Sequence, residues 1–290
     1  MSAPKVRDTT AAREGTASLV PLLLRKETIM AAFLALLAFL QTAGVAVERV
    51  SLPGPNGVIL DAALVLPAGA ARGPAIIALH GCGGPWARRD GPWAVTLAKA
   101  GHAVLLPDSF GSRGLGSQCA TARRAVTASG QRRQDAIMAA QWLAARPGTL
   151  AGGVALIGWS KGGGTVLATA RAAPDLPAGL FRRFAAFYPG CAVAAADATW
   201  QPAAPLMVLV GESDDWTPAP PCHALQALHP KQITLIGYPG AYHDFDVPDR
   251  PVTIREGAAT APGGRAHTGT SEPARQDALT RLPRFLAETR

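Results

Sequence analysis

Apolar residues in this chain fall into short blocks, and most blocks end in a cluster of glycine and polar residues. Two strand-like stretches come first, 48–52 and 58–66, joined by Pro53-Gly54-Pro55-Asn56-Gly57, a strong turn signal. Further strand-like runs follow at 75–79, 102–106, 154–157, 184–187, 206–210 and 233–236, apolar throughout but for His102 and Thr234. A run without polar alternation is what a strand buried on both faces of a parallel sheet requires. Helical spacing lies between them, at 92–100, 131–145, 165–172 and 273–286. In 131–145, Ile137, Ala140 and Ala144 share one side, with Met138, Trp142 and Ala145 beside them; Pro147-Gly148 ends the helix. In 273–286, Leu279, Leu282 and Leu286 point inward, and Pro283 predicts a kink. Strands alternating with helices predict one α/β domain, its mostly parallel sheet covered on both faces. The connection 192–204 is too short for a large cap, so an open cleft is expected. The stretch 249–270, rich in Gly, Pro, Ala and Thr, is expected to be a surface loop.

The first 46 residues have a different pattern. Arg25 and Lys26 precede an apolar run at 29–40, and Gly44-Val45-Ala46 supplies small residues suited to a cut after Ala46. That order predicts a secretory signal, leaving 47–290 as the domain. A start at Met30 is a variant of this reading, and retention of 29–47 as a membrane anchor is the alternative. Gln41 and Thr42 interrupt the run, which favours cleavage and no membrane span afterwards.

Composition narrows the picture. A chain of 290 residues, 48% hydrophobic and 17% charged, can bury a substantial core and has no signature of long disorder. The net charge is +8, of which +2 belongs to residues 1–46. Its arginines are scattered without interleaved aromatics, so no nucleic-acid partner is expected. No His-Glu-x-x-His and no paired Cys-x-x-Cys is present, so neither a metal nor another cofactor is expected. Export permits disulfides. Cys191 and Cys222 lie shortly after neighbouring strands and form the first pair expected; Cys82–Cys119 is then the second, joining two loops at the same sheet edge.

The polar residues that end the strands carry the chemistry. Gly158-Trp159-Ser160-Lys161-Gly162 joins a buried strand to a helix, the tight turn that pushes a serine oxygen out above a sheet edge. The following helix aims its N-terminus at the same place. Asp214 follows the strand at 206–210, and His243 follows the last core strand. Serine, acid, histidine in that order is the chain order of α/β-hydrolase triads. Ser160 would attack a carbonyl, His243 would move its proton, and Asp214 would fix the histidine tautomer. Asp214 is preferred to Asp215, which is expected to cap the turn toward the helix near 221–228 or to face solvent. The backbone N–H groups of Cys82, in His80-Gly81-Cys82-Gly83-Gly84, and of Lys161 would hold the oxyanion. His80 is expected to brace that loop. Arg113, at a strand's carboxyl end, could bind a substrate carboxylate or pair with Asp108; Trp159 is a second substrate-binding candidate.

Together with Asp108-Ser109-Phe110-Gly111-Ser112-Arg113-Gly114, Gly211-Glu212-Ser213-Asp214-Asp215-Trp216-Thr217-Pro218 and Tyr242-His243-Asp244-Phe245, these motifs resemble the dienelactone hydrolases of the α/β-hydrolase superfamily. The resemblance runs from about Val47 to the C-terminus. It implies the α/β-hydrolase fold, the triad and metal-free hydrolysis of esters or lactones. The namesake enzymes use a cysteine nucleophile and carry a glutamate in the oxyanion loop, where this chain has Ser160 and Gly81.

The leading expectation is an exported, periplasmic or secreted, serine hydrolase of small carboxylic esters or lactones. The alternatives are hydrolysis of larger or polymeric esters or of amides, and a non-catalytic binding protein of the same fold. The acyl group, the alcohol and the oligomeric state are not encoded in any motif.

Overall fold

The computed structural model describes residues 20–121, 124–147 and 153–288, with side chains from residue 31 onward. Gly148 of the expected helix stop and the first part of the expected leader, including the side chains of Arg25 and Lys26, lie outside these residues.

Eight strands form the central sheet, in the order β1-β2-β4-β3-β5-β6-β7-β8. They are β1 (Ala46–Pro53), β2 (Ile59–Leu66), β3 (Ala75–Leu79), β4 (Val104–Pro107), β5 (Val154–Trp159), β6 (Phe181–Phe187), β7 (Leu206–Gly211) and β8 (Ile233–Tyr238). β2 is antiparallel to both β1 and β4, and β4 through β8 run parallel. This is the mostly parallel sheet of an α/β-hydrolase.

The uninterrupted apolar strands divide their side chains between two cores, because successive residues of a strand point to opposite faces. Ile77, Leu156 and Val208 face one core with α3 (Gln131–Ala144), α4 (Lys161–Ala170) and α6 (Pro220–Leu228). Ile76, Ile157 and Leu209 face the other with α1 (Val20–Thr42), α2 (Ala87–Lys99) and α7 (Glu272–Ala287). In α7, Leu282 and Leu286 are buried and Leu279 packs beside them, as the helical spacing predicts. Between β6 and β7 lies only the five-residue α5 (Ala192–Ala196), so no large cap is inserted there.

Several boundaries differ from the sequence expectation. α2 begins at Ala87, five residues before Pro92. Asp90 supplies the missing start signal: its carboxylate accepts the Trp86 N–H at 2.7 Å and lies in the helix's first turn. β6 begins at Phe181 because Arg183, which looks like loop, lies buried with its guanidinium over the Phe285 ring. The stretch 249–270 is no plain loop but carries a hairpin, β9 (Thr253–Glu256) paired with β10 (Arg265–Thr268).

α1 spans half of the expected leader. Phe33, Leu36 and Leu40 are buried on one of its faces and pack with Trp93, Ala94 and Leu97 of α2. β1 starts at Ala46, where the cut was expected. No helix among the described residues is long and apolar enough to cross a membrane.

Candidate active site

Strand β5 ends at Trp159, and α4 begins at Lys161. Ser160 between them takes φ 53° and ψ −115°, a backbone conformation costly for a residue with a side chain. Close packing imposes it. A Cβ on Gly162 would lie 2.2 Å from the Leu79 carbonyl oxygen, and one on Gly158 would lie 2.6 Å from Gly162 backbone atoms. The turn is therefore drawn tight against β3, and α4 starts four residues earlier than its Ala-rich run suggests. Lys161 is the first helical residue, so its N–H has no partner within the helix.

Ser160 Oγ lies 2.9 Å from His243 Nε2, and His243 Nδ1 lies 2.8 Å from Asp214 Oδ2. An ionised carboxylate only accepts, so Nδ1 carries a proton and Nε2 can accept from the serine. Asp214 is tied down by three further contacts, and Thr217, which makes two of them, is itself anchored. Its Oδ1 accepts the N–H groups of Trp216 at 2.8 Å and Thr217 at 2.9 Å; Thr217 Oγ1 lies 2.9 Å from its Oδ2 and 3.0 Å from the Tyr188 carbonyl. The acid and histidine loops touch directly, since a Cβ on Gly211 would lie 2.3 Å from the Ala241 carbonyl oxygen. The His243 ring sits between Tyr188 and Trp216, with centroids 4.5 and 4.7 Å away.

Burial works against charge on both partners, and their proximity overrides it. Burial pulls the His243 imidazole down, but the Asp214 charge and hydrogen bond raise it above its ordinary value. Burial pushes Asp214 up, yet His243 and the two backbone N–H groups hold it below the usual carboxylate range.

Two cavities meet at this point, with Cys82, Ser160 and Trp216 lining both. One, of about 430 Å³, is walled by Trp86, Arg89, Arg250 and Arg255. The other, of about 510 Å³, is walled by Thr127, Lys161, Val193 and Pro218. In the second, burial and the nearby Arg124 and Arg132 charges lower the Lys161 ammonium to about 7, and its Nζ donates to the Val126 carbonyl at 2.8 Å.

Two expected substrate-binding residues lie elsewhere. Arg113 lines neither cavity; it forms a two-pronged pair with buried Asp135 and donates to the Ser109 carbonyl. Asp108 is not its partner, because that carboxylate accepts the N–H groups of Phe110 and Gly111. Trp159 is 1% exposed, and its indole N–H donates to Asp246 at 2.8 Å. As the last residue of β5 it falls on the face toward α2, against Phe187. Asp215 neither caps toward α6 nor faces solvent unpaired. Its two oxygens engage the backbone N–H and Nδ1 of His267 in β10, at 2.8 and 2.7 Å.

His80 braces the loop after β3 as expected: Nε2 accepts the Ser109 N–H and Nδ1 bonds the Gly81 carbonyl. Both expected disulfides, Cys82–Cys119 and Cys191–Cys222, are present. No cluster of potential metal ligands exists among the described residues.

Sequence reasoning missed Thr217 and the arginine wall. Thr217 had a signal, since an aspartate followed three residues later by threonine is a frequent side-chain-capped turn. Arg89, Arg250 and Arg255 had none, because they come from α2 and from the stretch read as surface loop.

A sequence profile of the dienelactone hydrolase family matches residues 60–289. No curated protein matches the chain. Among solved structures, a protein assigned as a dienelactone hydrolase from Klebsiella pneumoniae superposes with TM-score 0.65 at 18% identity, covering 85% of this chain and 100% of its own. Esterase 2 of Thermogutta terrifontis superposes with TM-score 0.59 at 18% identity, covering 85% and 97%. An α/β serine hydrolase without a lid from Xanthomonas campestris gives 0.53 at 20% identity, covering 84% and 97%. At these identities the superpositions speak for the fold.

Proposed function

The chain belongs to the dienelactone hydrolase family and is an ester hydrolase, and from that premise we propose that it cleaves small carboxylic esters or lactones through a Ser160–His243–Asp214 triad. The unbroken chain of hydrogen bonds from Ser160 Oγ through His243 to Asp214 carries this reading. His243 Nε2 takes the serine proton as Oγ attacks the carbonyl carbon. Asp214 stabilises the imidazolium that forms and holds it in place. The N–H groups of Cys82 and Lys161 receive the developing oxyanion, and each such donor is worth about 3–4 kcal/mol. His243 then hands its proton to the departing alcohol, leaving an acyl-Ser160 ester. Water, deprotonated by the same nitrogen, releases the acid.

Substrate lies across Ser160, with one part in each cavity. Their joint size suits a small ester better than a polymer chain. The proposal includes an exported protein: the charged, apolar and small-residue order of 1–46 supports it, and two disulfides fit an oxidising compartment.

The test is labelling with a fluorophosphonate, followed by a screen of esters and lactones of graded chain length. Wild-type protein should take one label on Ser160 and turn over small esters, while Ser160→Ala should do neither and keep its fold. Wild-type turnover by Ser160→Ala removes the serine from the mechanism.

A further inference from the structure

The loop proposed to hold the oxyanion has almost no side chains. After His80 it reads Gly81, Cys82, Gly83, Gly84, so Cys82 supplies the only side chain by which the fold can grip it. That side chain is bonded to Cys119. Cys119 is itself anchored from a third segment. Its carbonyl accepts the Ala259 N–H at 3.1 Å, and the disulfide packs with Trp216, Ala258, Ala261 and Ala266 in a small apolar cluster apart from the two main cores.

The base of the loop is held by other means. Arg132 Nη2 donates to the His80 carbonyl at 2.7 Å, and the His80 ring receives the Ser109 N–H. That restraint reaches His80 and the Gly81 carbonyl but goes no further. The bond that fixes the Cys82 carbonyl comes from Gln118 N–H at 2.7 Å, and Gln118 is the neighbour of Cys119. Both grips on Cys82 therefore run to one segment, which is itself held by the Ala259 N–H and by Arg124 Nε on the Gln118 carbonyl at 3.1 Å, and the disulfide is the covalent link between that anchored segment and the loop. Freed of it, a glycine-rich loop has many backbone states to explore.

We propose that Cys119 is a positioning residue for the reaction: through its disulfide it aims the Cys82 N–H at the oxyanion, so turnover depends on the redox state of this bond. The inference rests on the reading of Cys82 as an oxyanion donor. Such a donor acts mainly on the charge that develops in the transition state. Loss of its aim lowers kcat and leaves KM nearly unchanged. Cys191–Cys222 lacks this role, since it ties the start of α5 to α6 and holds no proposed oxyanion donor.

The experiment compares Cys119→Ala and Cys222→Ala in the full chain. Each is assayed on p-nitrophenyl acetate well below its Tm, and with a boronic acid that forms a tetrahedral adduct on Ser160. For Cys119→Ala, kcat should fall about tenfold to a hundredfold, somewhat less than deletion of a donor costs. KM should stay within about threefold, and boronate affinity should fall in parallel with kcat. Cys222→Ala should lose thermal stability with kcat and boronate affinity kept. A Cys119→Ala protein with lowered Tm but intact kcat and boronate affinity overturns the proposal.

If Cys119→Ala does not fold, wild-type protein is reduced with dithiothreitol. The reagent gives up two electrons and two protons, becomes a cyclic disulfide, and leaves two thiols on the protein. As peptide mapping shows Cys82–Cys119 open, kcat should fall with the circular dichroism unchanged, and it should return on reoxidation. Unchanged kcat with that bond open sinks the idea. Ser160→Ala separates the two readings. Activity there removes the serine mechanism, whereas an inert Ser160→Ala beside a fully active Cys119→Ala removes only the role of Cys119.

Discussion

Two loops carry the N–H groups proposed to receive the oxyanion, and they are held in opposite ways. The turn from β5 to α4 is fixed from within the sheet, where Gly158 and Gly162 let three backbone segments press together and helix α4 fixes the Lys161 N–H. The loop after β3 gets its restraint from outside the sheet, from a disulfide that reaches a hairpin inserted after His243. The first device is local and continuous with regular structure, so it leaves a readable motif. The second joins residues 37 apart in sequence and rests on a third segment later still. Equal geometric demands can be met by packing or by a crosslink, and the crosslinked side is the one that solution conditions can loosen.

The largest effect expected lies on neither loop but on the acid they leave unaided. Asp214→Asn should lower turnover on a small ester by about ten-thousand-fold, because the amide's N–H selects the wrong His243 tautomer. A loss smaller than about tenfold would show that the histidine is held chiefly by Tyr188 and Trp216.

The packed turn is broken by Gly162→Ala. Its new Cβ would stand 2.2 Å from the Leu79 carbonyl oxygen, a backbone atom that cannot swing away. The strain should cost about 1–3 kcal/mol of stability, read by urea titration. Displacement of Ser160 should cost about a hundredfold in kcat. With Cys119→Ala beside it, the comparison becomes sharp: the turn variant should lose stability and fluorophosphonate labelling rate together, while the disulfide variant should lose kcat out of proportion to stability.

The pH profile comes next. His243 must be neutral to accept the serine proton, and Asp214 raises its pKa above the ordinary 6.5. The acid limb of kcat/KM should therefore have its midpoint above 6.5, with activity falling about tenfold per pH unit below it. In Asp214→Asn the residual activity should show a lower midpoint, because burial then acts on the imidazole without the opposing carboxylate. An unshifted midpoint would assign the limb to another group.

The smallest effect is expected for Asp215→Asn. This carboxylate and His267 are both partly exposed, and the amide can still accept the His267 backbone N–H. Stability should change by no more than about 1 kcal/mol and turnover by no more than about fivefold. A loss as large as that of Asp214→Asn would mean that the hairpin, through Gly269 N–H on the His243 carbonyl, sets the histidine's position.

The sequence alone determined what depends on neighbours along the chain. Uninterrupted apolar runs marked β3, β5 and β7 because a strand buried on both faces cannot carry a solvated side chain. Glycines around Ser160 marked the turn, and the order of strand ends brought Ser160, Asp214 and His243 to one sheet edge. Even the cysteine pairs were legible, since adjacent parallel strands bring their following loops together. Tertiary structure alone decided what depends on which surface comes to lie nearby. Arg113 faced two possible carboxylates, and a buried one from α3 took it, since an arginine fork gains most where water is excluded. Residues 249–270 offered turn formers with little apolar periodicity, yet they form a hairpin because Trp216 and the Cys82–Cys119 disulfide give Ala258, Ala261 and Ala266 a surface to cover. The apolar run at 29–40 shows the same division at its plainest. Its residues suit a signal and suit a helix packed on α2 equally well, because both need a continuous apolar face; only the fold places Phe33, Leu36 and Leu40 against Trp93 and Leu97.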